Sequence, residues 1–349
     1  MIQDGFLDFR DPIVGIITIV IFIFIASFLT YSFGLYKERK LRSEYRNLLK
    51  RFEFGNLKEE DYIHLYSTYN LPFDSIILLA SSFLYKGQYN KAISVYLALL
   101  EHVDEQVKKE ELLELLGNAY FKSGLLQRSK EIYLKILKFS PRNKVALNYL
   151  LLIFQSLKDF KKASEILDSL EELDSDILKE RLYIKVLQII NDPLLSFETK
   201  SLQLYDDFKI DKKLQRVVIE FLIKFNKTLF WKHIEEFDIL NIIDLLWYLD
   251  FEDIDFDQVN NNKVLKEIYS AKGYIDSVDK SDIFELNILI ALNRSSSDAE
   301  VDLNFEFICS KCKKTHPIYD SRCPHCHDIL TFNIEPKLAR AITNMTSLV

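Results

Sequence analysis

The sequence predicts an all-α protein: a stacked helical repeat with an apolar helix at its N-terminus and a small cysteine module near its C-terminus. Three observations predict it. Residues 13–36 form an uncharged apolar run, similar segments recur at offsets of 37 and 34 residues between 79 and 172, and all four cysteines lie between 309 and 326. Composition agrees. Gly and Pro number only 8 and 7 in 349 residues, too few turn-formers for an all-β chain of this length. A hydrophobic content of 48% supplies a large core, and a net charge of -7 argues against a protein that binds nucleic acid by neutralising phosphates.

The first element is a membrane anchor. The run IVGIITIVIFIFIASFLTYSFGLY (13–36) would span roughly 36 Å as a helix, enough to cross a hydrocarbon core with some tilt. Residues 1–12 carry Asp4, Asp8 and Asp11 against Arg10. The basic segment that follows (37–72) begins with Lys37, Arg39, Lys40, Arg42, Arg46, Lys50 and Arg51 against Glu38 and Glu44. The positive-inside rule then puts the short N-terminus outside and the bulk of the chain in the cytoplasm. A cleaved signal peptide would need a basic start and a shorter core, and a buried soluble helix would have a polar face.

Next comes a repeat. LASSFLYKGQYNKAISVYLALLEH (79–102) aligns with LGNAYFKSGLLQRSKEIYLKILKF (116–139), matching Gly87 to Gly124, Ala92 to Ser129, Tyr96 to Tyr133 and Leu99 to Ile136. A third copy, LLIFQSLKDFKKASEILDSLEE (151–172), puts Ala163 under Ser129 and Leu167 under Tyr133. The small residues mark where two helices of a hairpin cross, and the large ones fill the groove to the next repeat. This pattern, with Leu116-Gly117-x2-Tyr120 and Pro141, resembles the tetratricopeptide repeat. Repeats are expected over 73–177, and degenerate repeats continuing the same superhelix over 178–296. There RLYIKVLQII, LQRVVIEFLIKF and LNIIDLLWYL read as helices, and Trp231, His233 and Trp247 as core or groove residues. The acidic stretch 250–257 reads as a solvated loop, and 295–298 as a linker.

The metal module is expected over 303–335, followed by a tail, 336–349. Cys309-x2-Cys312 and Cys323-x2-Cys326 are separated by ten residues. Each pair can present two thiolates from one tight turn, and two facing turns make a closed tetrahedral four-sulfur site, which suits zinc. Pro324 stiffens the second turn. FEFI (305–308) and ILTFNI (329–334) read as flanking strands. Iron fits the same four-thiolate set. His316, His325 and His327 are the rival ligands. Four protein sulfurs leave no open position for a substrate water, and the chain has no Gly-rich phosphate loop, G-x-S-x-G or H-E-x-x-H. No enzyme is expected.

The order of anchor, repeats and rubredoxin-like module resembles the lipopolysaccharide assembly protein B family, in detail at the repeats and at Cys309, Cys312, Cys323, Pro324 and Cys326. The resemblance implies a single-pass protein of the bacterial inner membrane, N-terminus periplasmic, acting as an adaptor. It would help a membrane AAA+ protease degrade the lipid A deacetylase and so limit lipopolysaccharide synthesis. Other lipopolysaccharide synthesis or export proteins are further partners, and a homodimer is left open. Where family knuckles tend to carry Gly after each pair's second Cys, this chain has Lys313 and His327. Three alternatives are a general scaffold for another inner-membrane complex, an iron-containing redox protein and a nucleic-acid-binding zinc ribbon. The acidic whole disfavours the last.

Overall fold

Uninterrupted apolar and then basic residues with high helix propensity produce one long first helix, α1 (Pro12–Glu53), about 63 Å from end to end. The computed structural model describes residues 12–53, 61, 72–295 and 300–340. Much of the expected basic segment, 54–60 and 62–71, lies outside the described residues, as do 1–11. The apolar side chains of α1 are exposed from Ile16 to Tyr36 on every side of the helix. Its stretch Ile16–Glu44 is the one helix among the described residues long and apolar enough to cross a membrane, with a mean hydropathy of 2.4 over its most apolar window. Length and composition suit a membrane span or a signal sequence.

The chain divides into two compact units, Met1–Ile153 and Phe154–Val349. In the first, two helical hairpins follow α1: α2 (Phe73–Tyr85) with α3 (Tyr89–Leu100), and α4 (Gln106–Lys122) with α5 (Leu126–Phe139). The next helix is α6 (Lys144–Ser156). The repeat alignment is explained by contacts. Ala92, Ser129 and Ala163 are all fully buried. Ser129 Oγ donates to the Gly117 carbonyl at 2.8 Å where α4 and α5 cross. A Cβ on Gly117 would lie 2.7 Å from Cζ of Tyr133, so only glycine lets that ring lie against the helix. Tyr133 in turn stacks on Tyr149, centroids 4.9 Å apart. Asn143 caps α6 by accepting from the Ala146 N–H and donates back to Glu110 and Glu114 of α4, each at 2.6 Å. The inter-helix turns take a left-handed residue at the same place in each copy: Gly87, Gly124 and then Lys158.

The second unit continues with α7 (Phe160–Glu171), α8 (Leu178–Asn191), α9 (Phe197–Ile210) and α10 (Gln215–Phe225). Shorter helices then follow: α11 (Lys227–Lys232), α12 (Ile243–Trp247), α13 (Phe256–Asn261), α14 (Lys263–Ala271) and α15 (Phe284–Arg294). RLYIKVLQII falls in α8, and LQRVVIEFLIKF gives α10 after a 3-10 turn. LNIIDLLWYL corrects its expectation. It is a 3-10 turn, Ile239–Ile242, followed by the five-residue α12. Ile239, Ile242, Ile243, Leu246 and Trp247 are all buried at the spacing of one helical face while Leu240 and Tyr248 are exposed, so the segment keeps an inward face although its winding changes at Ile243. The acidic stretch 250–257 is also less loop-like than expected, because Asp255 caps α13 through the Asp257 and Gln258 N–H groups. Trp231 and Trp247 are core residues. Of the expected linker, 296–298 lies outside the described residues.

Three antiparallel strands complete the unit in the order β2-β1-β3: β1 (Val301–Cys309), β2 (Thr315–His316) and β3 (Phe332–Arg340). FEFI lies within β1. Of ILTFNI only 332–334 is strand, and β3 runs on to Arg340 through residues assigned from sequence to the tail. Pro336 pairs with Phe305 on the outer strand, where a missing N–H is tolerated. Leu303, Phe305 and Phe307 alternate inward and join one hydrophobic core with the helices from α8 onward. Trp247 Nε1 donates to Asp302 at 3.0 Å, fastening β1 to α12.

Candidate metal centre

Cys309 ends β1, and the chain turns back at once to make β2, with Phe307 opposite His316. The turn is closed by two backbone bonds: Lys313 N–H to the Cys309 carbonyl at 2.8 Å, and Cys309 N–H to the Lys314 carbonyl at 3.0 Å. The second turn repeats them fourteen residues on. His327 N–H donates to the Cys323 carbonyl at 2.9 Å, and Cys323 N–H to the Asp328 carbonyl at 2.8 Å. Both turns need a left-handed residue after the second cysteine, and Lys313 and His327 supply it at φ 60° and 61°. The chain therefore makes the glycine-type turn without glycine, at some backbone strain.

The four sulfurs lie within 4.8 Å of one another. Cys309 and Cys326 are 3.7 Å apart across the turns, as are Cys312 and Cys323. A tetrahedral metal with bonds of about 2.3 Å to sulfur has edges of roughly 3.8 Å, whereas a disulfide needs about 2.05 Å. All four thiols are unbridged. The geometry fits a tetrathiolate metal site. Cys309 and Cys323 are fully buried, and Cys312 and Cys326 are half-buried.

The surroundings distinguish the thiols. Burial opposes ionisation of Cys309, but the Cys312 N–H, the Thr331 hydroxyl and the Lys311 N–H outweigh it and lower its pKa to about 6. Burial pushes Cys326 up to about 12, despite the Asp328 N–H, because it sits among the other sulfurs. Burial likewise raises Cys323. Four thiolates so close together need a cation to hold them. Of the rival ligands, His316 places Nε2 3.8 Å from Cys323 Sγ, beside the cluster, while His325 is exposed.

Two arginines fasten the module to the helices of its own unit. Arg322, next to Cys323, donates to both carboxylate oxygens of Glu180 on α8 at 3.0 and 2.7 Å, to Gln155 Oε1 at 3.1 and 2.7 Å, and to the His327 carbonyl at 2.6 Å. Arg216 on α10 forms a buried fork to Asp244 at 2.5 and 2.6 Å and lies 4.2 Å over the Tyr319 ring, in the loop between the cysteine pairs. Asp328 is bridged by Lys179 and Lys311, each at 3.5 Å. The sequence alone assigns no contact to Arg322, Arg216, Glu180 or Gln155. No spacing rule links residues that lie well over a hundred positions apart.

Comparison with known proteins supports the repeat. Residues 110–143 match a family model described as a tetratricopeptide repeat. A 75-residue stretch is 33% identical to the uncharacterized protein ycf37 of Pyropia yezoensis, covering 22% of this chain and 42% of that protein. This chain thus spans less than half the length of that curated relative. A crystal structure of BtubC (BKLC) from P. vanneervenii aligns over 67% of this chain and 96% of its own, at 19% identity and a TM-score of 0.29. The chain is a mainly helical protein with a tetratricopeptide repeat, an apolar N-terminal helix and a four-cysteine cluster compatible with a metal.

Proposed function

We propose that the protein is a membrane-anchored, non-enzymatic adaptor whose repeats bind other proteins and whose cysteine module holds zinc as a structural brace. The repeat at 110–143 carries this reading, because such hairpins stack to give extended protein-binding surfaces. Cys309, Cys312, Cys323 and Cys326 are the ligands in this reading, and zinc would supply folding energy with no open coordination position. Iron fits the same sulfurs. The helix α1 anchors the chain, with the basic residues after Tyr36 on the cytoplasmic side.

The adaptor's pathway, in this proposal, is control of lipopolysaccharide synthesis at a bacterial inner membrane, with a membrane AAA+ protease and the lipid A deacetylase as partners. Its support is the order of anchor, repeats and four-cysteine module. A scaffold for a different inner-membrane complex is the second reading, favoured by the breadth of partners that such repeats serve. Affinity purification of the full-length protein from its native membranes after brief cross-linking, beside a Cys309→Ser/Cys312→Ser variant, separates the two. Enrichment of protease and deacetylase, lost in the variant, is the expected result. Recovery of another membrane complex instead would replace the pathway while keeping the scaffold.

A further inference from the structure

Between α8 and α9, around the loop that joins them, lies a cleft of about 480 Å³. Its floor includes Asp207, a carboxylate residue only 3% exposed. Asp207 Oδ1 accepts from Lys185 at 2.5 Å, but Oδ2 is buried with no hydrogen-bond partner. Buried charged oxygens are normally satisfied, because a bare one has lost its hydration with no protein donor in exchange. Lys185, on the cleft wall, has a side chain 53% exposed and so can swing aside. Asp192 and Asp206 also line the cleft, so its lining carries three carboxylates and one ammonium, with Lys209 outside it paired to Asp206 at 3.7 Å. Among the described residues only the four cysteines are close enough together to hold a metal, so the aspartates do not form an ion site.

We propose that this cleft receives an arginine side chain of a partner polypeptide. A planar guanidinium presents two parallel N–H donors and, taking the place of the Lys185 ammonium, can bond Oδ1 and Oδ2 of Asp207 together, as a single ammonium does not. Asp192 and Asp206 balance its remaining charge, and Ile189 and Leu195 give its methylene stem an apolar wall. A polypeptide is favoured over free arginine because Leu194, in the loop that carries the lining residue Leu195, is 90% exposed and offers contact to a neighbouring residue of the partner. The proposal names the chemistry of one contact of the adaptor and rests on that reading.

The test uses the full-length protein in detergent micelles and a fluorescein-labelled Gly-Leu-Arg-Leu-Gly peptide, followed by anisotropy. Replacing arginine by citrulline, which keeps shape and removes charge, is expected to weaken binding by about tenfold or more, as is Asp207→Asn. Asp192→Asn/Asp206→Asn should weaken it a few-fold and flatten its salt dependence. Gln203→Arg, which tethers a guanidinium on the cleft wall, should block the peptide and keeps the test decisive if Asp207→Asn misfolds. Equal binding of the arginine and citrulline peptides, or no binding below millimolar, overturns the proposal. Co-purification with the Gln203→Arg variant tells the two readings apart. Partners retained alongside an indifferent peptide sink the cleft alone. A discriminating peptide with no partner recovered from membranes sinks the adaptor and leaves the cleft.

Discussion

Gly117→Ala sets two opposing effects against each other at one atom. In an exposed helix the change would stabilise by about 1 kcal/mol through propensity. Here the new Cβ would lie 2.7 Å from Tyr133 Cζ and 2.9 and 3.0 Å from the two Cε atoms. The ring has nowhere to go: Tyr133 is fully buried, stacked on Tyr149, and its hydroxyl reaches the Glu114 carbonyl at 3.3 Å. Overpacking of this kind costs about 1–3 kcal/mol, and a contact this short against a fixed ring belongs at the upper end. The expected net effect is a loss of about 1–2 kcal/mol. Urea denaturation of the full-length protein in detergent reads it, with hydrogen exchange of peptides from 106–139 placing it in the repeat. Tyr133→Leu in the Gly117→Ala background should restore more than half of the loss, a coupling that a double-mutant cycle isolates. A Gly117→Ala protein as stable as the parent, or more so, would refute the close helix crossing.

Other consequences follow from the metal module. Arg322→Ala strips partners from Glu180 and Gln155 and should destabilise the second unit by about 2 kcal/mol, with Arg322→Lys rescuing little because the fork is lost; thermal denaturation measures both. At the left-handed Lys313, substitution by Gly should be neutral or stabilising by up to about 1 kcal/mol, while Lys313→Ile should destabilise by about 1–2 kcal/mol and speed metal loss to a chelator. Removing the metal should collapse exchange protection across 301–340 and also weaken it in α12, whose Trp247 bonds to Asp302. Protection left intact there would mean that the sheet folds without the metal.

The parts legible in the sequence were those encoded by short-range spacing. Two C-x2-C pairs specify two turns, and Ala92, Ser129 and Ala163 at fixed offsets specify helix crossings, because each feature is satisfied within one hairpin. The reach of β3 was hidden by Pro336, which reads as a strand breaker but is harmless on an outer strand. The break in 239–247 was hidden because Ile239, Ile242, Ile243, Leu246 and Trp247 keep the spacing of one continuous helix, which does not mark where the winding tightens to a 3-10 turn. The clamps by Arg216 and Arg322 join residues far apart in the chain, and no local pattern marks which carboxylate a given arginine will meet. Asp207 was equally silent: it lies in an ordinary charged helix, and only burial against α8 distinguishes it from Asp206.

Metal analysis of the protein isolated from its native host decides whether the four thiols work as one site. One zinc per chain, no visible absorption, and loss of the metal in Cys309→Ser/Cys312→Ser is the expected result, with one iron and a coloured protein as the variant that keeps the site but changes its metal. A metal-free chain with four reactive thiols, or with the cysteines joined as disulfides, would contradict it.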